Sequence, residues 1–560
     1  ILLFKKEEVM NLSKLYIKIF LLSGICLFLS GCNLDEDPRD QMPGGSYSSP
    51  KQAEQAVIGA YSNLRNWANN IYLHMSECRS DNTWVDPVPN GLREYSEIGT
   101  FRADFTLSTF NGTWADLYKV VNASNLVIES LPNITFPKDE TNPVKLKDQL
   151  EGEVHFLRGW AYFELARLFG NVPLIDRTMS PVETKTVKQS TAAELYEKII
   201  IPDLKLAESK LPVAEKMITS SYATATSQGR ADQIAAKAML ARVYMTMAGF
   251  PLKDVSAEAL AETKLKEVLD YADGNGKYWA PTAEEWQKQW LTEYNNKYSI
   301  FAIQYRSGGT GNSAIFNFSP ALPPSYTSIR IYGNSIFVEK SLKYEFDKVY
   351  SNGARDIRGD GATVLDGFDA EPNFPAYSNT KETLEVPGVG EVEVYTKSFF
   401  YKYLNSLRKR QSLGYTGNFE SEMKDYNDWA VNYPVIRIED IMLMYAEVLL
   451  NKHGDISGAM SYVNKIRQRA GCDAVTAATA TDAMKAVKQE RRIEFAGEGI
   501  RWFDMIRYGE WEKNIKDKLS RYNNPVGTSE SYIKPGRYLY PIPQTEMIGF
   551  PGLYNQNADY

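Results

Sequence analysis

The segment Gln489–Gly509, QERRIEFAGEGIRWFDMIRYG, combines the periodicity of a buried helix with a high density of charge. Its apolar residues at three- and four-residue spacing are Ile493, Ala496, Ile500 and Phe503. The charged residues among them include Arg491, Arg492, Glu494, Glu498, Arg501 and Asp504. A buried charge is costly unless it is paired, so we expect arginine–carboxylate ion pairs among these side chains.

Two interpretations of this charge cluster are open. Its carboxylates could serve as the acid and base of a catalytic site, or the cluster could be a structural network that holds the C-terminal helices together. Ion-pair networks often imitate active sites in sequence, and we therefore favour the structural interpretation. Gly497 and Gly499 are expected to let one helix end and the next begin.

From Glu490 onwards, this segment strongly resembles the C-terminal signature of the RagB/SusD family, the surface nutrient-binding lipoproteins of Bacteroidetes. Three other segments resemble the same family: the WxxLYxxVxxxN pattern of Trp114–Asn125, the segment His155–Leu174, and the YPIPxxE…QN pattern of Tyr540–Asn557. The resemblance covers nearly all of the predicted mature chain. It implies a mainly α, SusD-like fold and a protein that binds glycan without catalysing a reaction.

The composition is that of a large globular protein without a basic surface. The 560 residues are too many for one ordinary core but fit a helical-repeat assembly. The net charge of −7, with no basic run, argues against a nucleic-acid partner. Aromatic residues make up 12% of the chain, with 35 tyrosines and 10 tryptophans, which indicates either many core anchors or exposed stacking surfaces.

Residues that usually carry catalysis or bind metals are sparse. The histidines, His74, His155 and His453, have neither metal-ligand spacing nor a Ser/His/Asp context. The cysteines include no CxxC pair, and the sequence leaves open whether Cys78 and Cys472 form a disulfide. The stretch DYADGNG at 270–276 misses the spacing of a calcium loop and indicates the end of a helix. We expect no cofactor and no metal.

The stretch KLYIKIFLLSGICLFLSGC, residues 14–32, predicts export. Its apolar run is too short to span a membrane, so residues 1–31 are interpreted as a signal peptide that starts at Met10. The last four residues, LSGC, resemble a bacterial lipobox, which implies that Cys32 is lipidated. Residues 32–50 begin with an acidic patch similar to the surface-export signal of Bacteroidetes lipoproteins, and they predict a tether. We expect an outer-membrane lipoprotein that faces the cell exterior.

Amphipathic repeats predict about four helix pairs of tetratricopeptide type, which begin near Ser49, Lys145, Arg230 and Arg437. Stacked pairs of this kind bury faces that no single pair can bury alone. Three regions follow from this pattern: an N-terminal helical-repeat region, an inserted region, and a C-terminal region with the last helix pair and the signature. Their bounds are 51–273, 274–434 and 435–560.

The inserted region, 274–434, has a different texture from the helix pairs. Tryptophan and tyrosine alternate there with Gly, Pro, Ser and Asn, which predicts an irregular subdomain with a few short strands. Candidate strands are Ser299–Tyr305 and a segment within Val386–Tyr395. A second irregular stretch is predicted at Ile71–Phe110, because no helical period is visible there.

Aromatic rings in these two irregular stretches are the candidate ligand contacts. Flat rings stack on the C–H faces of sugars, and loops on a rigid scaffold can present them. The candidates are Trp84, Tyr95, Trp279, Trp286, Trp290, Tyr294, Tyr305 and Tyr332. Each ring by itself also fits a place in the core. Three other tryptophans, Trp114, Trp160 and Trp502, lie on apolar stripes or in the family signature and are predicted core residues.

The resemblance implies an oligosaccharide or polysaccharide ligand, and a SusC-like TonB-dependent transporter to which the glycan is delivered. Two alternatives stay open: a helical-repeat scaffold of the transporter without its own sugar site, and a family member that captures peptides. An anchored hydrolase ranks below both, because no pair of carboxylates stands out in a recognisable arrangement.

Overall fold

Helices dominate the structure, a computed structural model. It describes residues 47–85, 93–137, 145–218, 229–291, 297–313, 322–326, 336–372, 374, 376, 377, 379–403, 407–415, 419–522 and 530–560. The predictions for the signal peptide, for Cys32, and for Tyr294 and Tyr332 lie outside these residues. The described residues fall in one compact unit, Tyr47–Tyr560. The division into three regions therefore stays a prediction.

The α-helices of the described residues are α1 Pro50–Ser62, α2 Arg93–Gly99, α3 Ser108–Ser130, α4 Leu146–Phe169, α5 Pro181–Thr184, α6 Ala192–Leu195, α7 Ile201–Lys210, α8 Gln233–Ala248, α9 Ala257–Asn275, α10 Ala283–Lys288, α11 Lys340–Asp347, α12 Leu407–Ser412, α13 Ile438–His453, α14 Ile456–Arg469, α15 Ala480–Glu494, α16 Arg501–Arg507, α17 Trp511–Ser520 and α18 Gln544–Gly549. The strands are β1 Thr83–Val85, β2 Val172–Pro173, β3 Gln189–Ser190, β4 Ser299–Ile303, β5 Ile336–Val338, β6 Val364–Leu365, β7 Lys381–Val386, β8 Gly390–Tyr395, β9 Phe399–Phe400 and β10 Tyr433–Arg437.

The predicted stack of helix pairs is confirmed. Within the described residues, α1 packs on α3, α4 on α7, α8 on α9, and α13 on α14. Neighbouring pairs are joined by contacts of α3 with α4, α7 with α8, and α9 with α13. Stacking buries the apolar side chains of these helices against one another to form a continuous core, and α4 is buried on nearly all sides.

Local sequence sets the ends of several helices. Gly454 closes α13 in a left-handed conformation with φ of 62°, and Asp455 accepts the N–H of Gly458 at 2.8 Å to cap α14. Gly276 closes α9 with φ of 60°, which confirms a helix-ending turn at 270–276. These caps supply partners for backbone groups that the helix itself leaves unpaired.

Pro202 is the second residue of α7, where the helix tolerates a proline. Tyr196–Ile200 forms a wider turn with i→i+5 hydrogen bonds, and α7 begins at Ile201. Proline has no N–H and its ring crowds the preceding turn, so a regular α-helix cannot run through it. The helix therefore continues after a local widening.

Strand pairing ties the inserted region to the last helix pair. β4 runs antiparallel to β10, with Ile303 opposite Tyr433 and Ala302 opposite Pro434. β10 leads directly into α13. A separate hairpin is formed by β7 and β8, and β1 pairs with β5 and β6 with β9. The expected short strands are therefore present, and they order the region between the third and fourth helix pairs.

The stretch Ile71–Phe110 is less irregular than predicted. Ala68–Glu77 is a helix with i→i+5 hydrogen bonds, and α2 and the start of α3 also fall in this stretch. Ile71, Tyr72 and Met75 are all buried, so the helix is enclosed on several sides. An enclosed helix has no polar face, and its sequence therefore lacks the amphipathic period by which we recognised the others.

Tryptophans predicted to lie in the core do so. Trp160 and Trp502 have no exposed surface and Trp114 is 3% exposed. Among the helices in the described part of the chain, none has the length and apolar character needed to cross a membrane.

Candidate functional site

The charges of the 489–509 segment form a buried network centred on Glu494. The groups that donate to its two carboxylate oxygens are Trp286 Nε1 at 3.1 Å, Arg358 Nη1 at 2.8 Å, Arg437 Nη1 at 3.0 Å and Arg469 Nη2 at 2.8 Å. Burial acts to raise the pKa of Glu494, but the surrounding arginines outweigh it and hold the pKa well below its ordinary value. The carboxylate of Glu494 is therefore ionised, and both of its oxygens accept hydrogen bonds from protein donors.

Glu498 is held in a similar way. Its carboxylate accepts Nε and Nη2 of Arg437 at 2.9 and 2.8 Å, and Nζ of Lys402 at 2.7 Å. The two glycines that flank it donate their N–H groups to Glu77, at 2.9 Å from Gly497 and 2.8 Å from Gly499. Both glycines have positive φ, 81° and 65°. The Gly-Glu-Gly turn thus binds the buried carboxylate of Glu77 through its backbone, and its own side chain, Glu498, pairs with Arg437 and Lys402.

The remaining arginines of the segment are also paired. Arg491 Nε donates to Asp504 at 2.8 Å, and Arg501 binds both oxygens of Asp81 at 2.7 and 2.8 Å. Arg492 donates to the backbone carbonyl of Asp81 at 2.7 Å. Burial acts to raise the pKa of Asp81, but Arg492 and Arg501 outweigh it and hold the pKa below its ordinary value.

A catalytic role does not fit this geometry. Glu494, Glu498 and Asp504 are each at most 4% exposed, and each has arginine partners. A general acid or base must reach a substrate proton, and these carboxylates are committed to neighbouring cations. The segment as a whole has partners in the N-terminal region, the inserted region and the last helix pair, among them Asp81, Lys402 and Arg437, so the network has the geometry of a structural junction.

Four of the eight candidate rings are buried. Trp84 is 6%, Trp286 1%, Trp290 2% and Tyr305 4% exposed. Trp84 stacks on the ring of Tyr522 at 3.7 Å between centroids. A ring that is enclosed in this way offers no open face to a sugar. For these four rings, the expectation that they form an exposed platform for a sugar is wrong. They are core residues, which was the other interpretation of each ring.

The burial of these rings has identifiable physical reasons. The Trp286 indole donates to Glu494, and the Tyr305 hydroxyl donates to the backbone carbonyl of Arg65 at 2.6 Å. Trp290 packs edge-on against Tyr403, with 5.4 Å between ring centroids. Sequence could not reveal these partners, because they are distant along the chain.

Tyr95 and Trp279 are half-buried, so each keeps part of its surface exposed. Tyr95 packs edge-on against His74 at 4.5 Å, and Trp279 has the guanidinium of Arg469 4.5 Å from its ring centre. Their role in ligand binding stays a prediction.

A cavity of about 580 Å³ opens within the inserted region. This volume lies in the range of about 300–1,000 Å³ that is usual for ligand sites. The aromatic residues that line it are Tyr326, Phe368, Tyr377, Tyr395 and Tyr401. Its polar lining includes Asp360, Asp366, Asp369, Asn379 and Ser412.

The rings of the cavity hold one another in place. Tyr326 lies 6.0 Å from Phe368 and 6.5 Å from Tyr401, and Phe368 lies 5.7 Å from Tyr377, between ring centroids. Tyr377 donates its hydroxyl to the carbonyl of Lys397 at 2.7 Å. Phe368, Tyr377 and Tyr395 are half-buried. The cavity therefore has a fixed aromatic wall with partly open ring surfaces.

Asp366 is the anchored carboxylate of this cavity. It accepts the Ser398 hydroxyl at 2.6 Å and lies 2.9 Å from Lys343 Nζ, and its own N–H donates to Asp360 at 3.0 Å. Burial raises the pKa of Asp366 above its ordinary value, Asp360 adds to the rise, and Lys343 opposes it. Asp360 and Asp369 are exposed, and among the described residues neither forms an ion pair.

This cavity was missed by the sequence predictions, which placed the candidate rings in Ile71–Phe110 and in the first part of the inserted region. Its residues come from β6 and β8, from the segments beside β6, β7 and β9, and from Tyr326 and Ser412. A signal was present between 360 and 401, where Phe368 lies between Gly367 and Asp369 and where Tyr377, Tyr395 and Tyr401 follow. That texture is common in loops, and only the pairing of β6 with β9 and of β7 with β8 brings the residues together.

Cys78 and Cys472 are free, buried thiols. Burial raises the pKa of Cys472 to about 12 and also raises that of Cys78, so neither thiol is reactive near neutral pH. Within the described ranges, no cluster of His, Cys, Asp and Glu could hold a metal ion.

Two family models match the chain. The model described as "SusD family" matches residues 241–560, and the model described as "Starch-binding associating with outer membrane" matches residues 34–245. The matched descriptions name carbohydrate binding and the outer membrane, and no catalytic family is among them.

Relatives of similar length support the same assignment. The SusD-like protein P2 of Formosa agariphila is 24% identical over 96% of this chain and 98% of its own. A SusD homolog from Bacteroides thetaiotaomicron has a TM-score of 0.71 at 23% identity, covering 92% of this chain and 98% of that chain. Surface glycan-binding protein A from the same organism, solved in complex with laminarihexaose, has a TM-score of 0.67 at 23% identity, covering 91% and 100%.

At these identities the solved structures establish the likeness of fold. The family assignment rests on the SusD family model, which spans more than half of the chain. It agrees with the stacked helix pairs and with the buried charge network of the C-terminal segment. This chain belongs to the SusD family.

Proposed function

We propose that this protein binds oligosaccharides non-covalently at the outer membrane and delivers them to a SusC-like TonB-dependent transporter. The observation that carries the proposal is the cavity of about 580 Å³ in the inserted region, with its wall of aromatic rings and its aspartates. Glycan binding by the relative that was solved with laminarihexaose supports it further.

The chemistry of the cavity suits a sugar. Aromatic rings stack on the C–H faces of pyranose units, and carboxylate and amide groups accept and donate the hydrogen bonds of the hydroxyls. Phe368, Tyr377 and Tyr395 supply partly open ring surfaces, and Asp369 and Asn379 supply polar atoms beside them. Tyr95 and Trp279 are candidates for an additional contact elsewhere.

Binding without catalysis is the form of the proposal that the residues favour. Hydrolysis of a glycosidic bond uses two carboxyl groups placed across the scissile bond. In the cavity, Asp366 is tied to Lys343 and Ser398, and the carboxylates of the 489–509 segment are sealed in ion pairs. We therefore assign the cavity aspartates to recognition of hydroxyl groups.

The proposals of a lipid anchor and of a transporter partner rest on other observations. The lipobox-like sequence that ends at Cys32 and the acidic segment after it support a lipid anchor at the cell surface. The description "Starch-binding associating with outer membrane" agrees with that location. Stacked helix pairs present a broad rigid face, which suits docking to a partner protein.

Calorimetric titration with a panel of plant, host and microbial oligosaccharides tests the proposal. We expect saturable binding by the mature protein, and at least tenfold weaker binding by Tyr395→Ala, because one stacking face is removed. The matched control is Tyr532→Ala, since Tyr532 is an exposed ring outside the cavity lining and its loss should leave affinity unchanged. Released product would instead indicate a hydrolase.

Two outcomes would redirect the proposal. If no glycan binds but a transporter copurifies, the protein is a scaffold of that transporter. If peptides bind and the Tyr395→Ala variant loses them, the cavity captures peptides.

A further inference from the structure

The aspartates of the cavity leave it with unbalanced negative charge. Asp366 has a cationic partner in Lys343, but Lys343 also pairs with Asp347. Asp360 and Asp369 line the same cavity and form no ion pair with any described residue. Among the described residues that line it, none is a lysine or an arginine.

In the described part of the chain, Lys343 and Lys381 lie close to the cavity, and neither cancels this excess. Lys343 Nζ lies 5.3 Å and Lys381 Nζ 4.9 Å from the centre of the Tyr395 ring. Lys343 is fully buried and engaged by two carboxylates. Lys381 is exposed, as Asp360 and Asp369 are, so water and salt screen these three charges alike. Among the described residues, carboxylates around the cavity therefore outnumber cations.

We propose that this cavity takes uncharged sugars and rejects uronic-acid and sulfated glycans. The inference rests on the proposed function and adds the charge class of the ligand. A carboxylate can accept two hydrogen bonds from neighbouring sugar hydroxyls, so Asp360 and Asp369 favour neutral rings. A carboxylate or sulfate on the sugar would instead meet like charge in a partly enclosed site, where repulsion is stronger than in water.

The experiment compares sugars that differ only in charge. Cellohexaose, laminarihexaose and mannohexaose are each titrated against the same backbone oxidised at C6 to the uronate, at low and high salt. For any backbone that binds, we expect at least tenfold weaker binding of the uronate at low salt. Screening at about 1 M salt should reduce that penalty.

Two double variants test whether the cavity aspartates cause the weaker binding of the uronate. In the double variant Asp360→Asn with Asp369→Asn, both carboxylates that accept sugar hydroxyls become amides, so the neutral sugar should bind more weakly. The uronate penalty, taken as the ratio of the uronate and neutral dissociation constants of that variant, should fall below about threefold. The control, Glu197→Gln with Asp270→Asn, makes the same change in net charge at exposed positions on the helix pairs and should keep the full penalty.

The outcomes separate the two proposals. If the uronate binds as tightly as the neutral sugar or more tightly, the charge inference is wrong and the proposed function is unaffected. The same holds if the double variant still binds the uronate at least tenfold more weakly than the neutral sugar. Absence of binding by every neutral and acidic sugar overturns the proposed function, and the charge inference with it.

Discussion

At the residue scale, the conformation of the 489–509 segment depends on close contacts between backbones as much as on ion pairs. Gly499 donates its N–H to Glu77 at 2.8 Å, and its carbonyl accepts the hydroxyl of Ser76 at 2.6 Å. A Cβ added at Gly499 would lie 2.2 Å from the backbone oxygen of Tyr72. The turn can approach the buried helix Ala68–Glu77 only because this residue has no side chain.

Gly499→Ala should therefore destabilise the protein more than a positive φ alone would. We expect a loss of about 3–5 kcal/mol in the free energy of unfolding, from backbone strain together with overpacking. Gly509→Ala is the matched control, because Gly509 has φ of 70° but nothing within 4 Å of an added Cβ. It should cost about 1–2 kcal/mol. Equal losses in urea denaturation would show that close approach is unimportant.

At the element scale, helix α8 begins at a buried cap. Asp232 accepts the N–H groups of Ala235 at 2.7 Å and Ala214 at 3.2 Å, and it is 4% exposed. Burial raises the pKa of Asp232 to about 6, although the backbone hydrogen bonds oppose the rise. The cap that starts the third helix pair is thus also a group that titrates in the mildly acidic range.

The sign of the pH dependence follows from that shift. The folded pKa lies above the unfolded value of about 3.9, so the contribution of Asp232 to stability is complete below about pH 4 and is lost as pH rises through 6. We expect the unfolding free energy of the wild type, relative to Asp232→Asn, to fall by about 2–3 kcal/mol between pH 4 and 7. Urea denaturation of both proteins at each pH measures this difference. The two proteins share every other carboxylate, so the contributions of those groups to the pH dependence cancel. A difference that rises with pH would contradict the assignment.

At the scale of the whole molecule, the charge network joins parts of the chain that are far apart in sequence. Glu77 and Asp81 near the N-terminus, Arg358 and Lys402 in the inserted region, and Arg437 beside the last helix pair all meet the 489–509 segment. Replacing one partner of a buried ion pair leaves an uncompensated charge, which typically costs about 3–5 kcal/mol. The network thereby makes the packing of the three regions interdependent.

The predicted anchor is also a property of the whole molecule. If Cys32 is the lipidated cysteine of a lipobox, Cys32→Ser should release the protein from the membrane fraction, because it removes the thiol on which the proposed anchor depends. Cys26→Ser is the matched control, since Cys26 lies within the predicted signal peptide and should leave anchoring intact. Cell fractionation with immunodetection measures both variants, and protease treatment of intact cells tests which side the protein faces. Retention of Cys32→Ser in the membrane fraction would argue against the lipobox.

The sequence by itself determined the stack of helix pairs and the expectation that the charges of the 489–509 segment are paired. These features depend on local periodicity and on the cost of burying an unpaired charge, and both can be recognised in a short segment. The arginine partners of Glu494, which are Arg358, Arg437 and Arg469, lie outside that segment. Tertiary structure alone decided which aromatic rings stay open. Trp286 is drawn inward by Glu494, while Tyr395 is left at the wall of a cavity by strand pairing. A ring has the same chemistry in both places, and its exposure depends on partners distant along the chain.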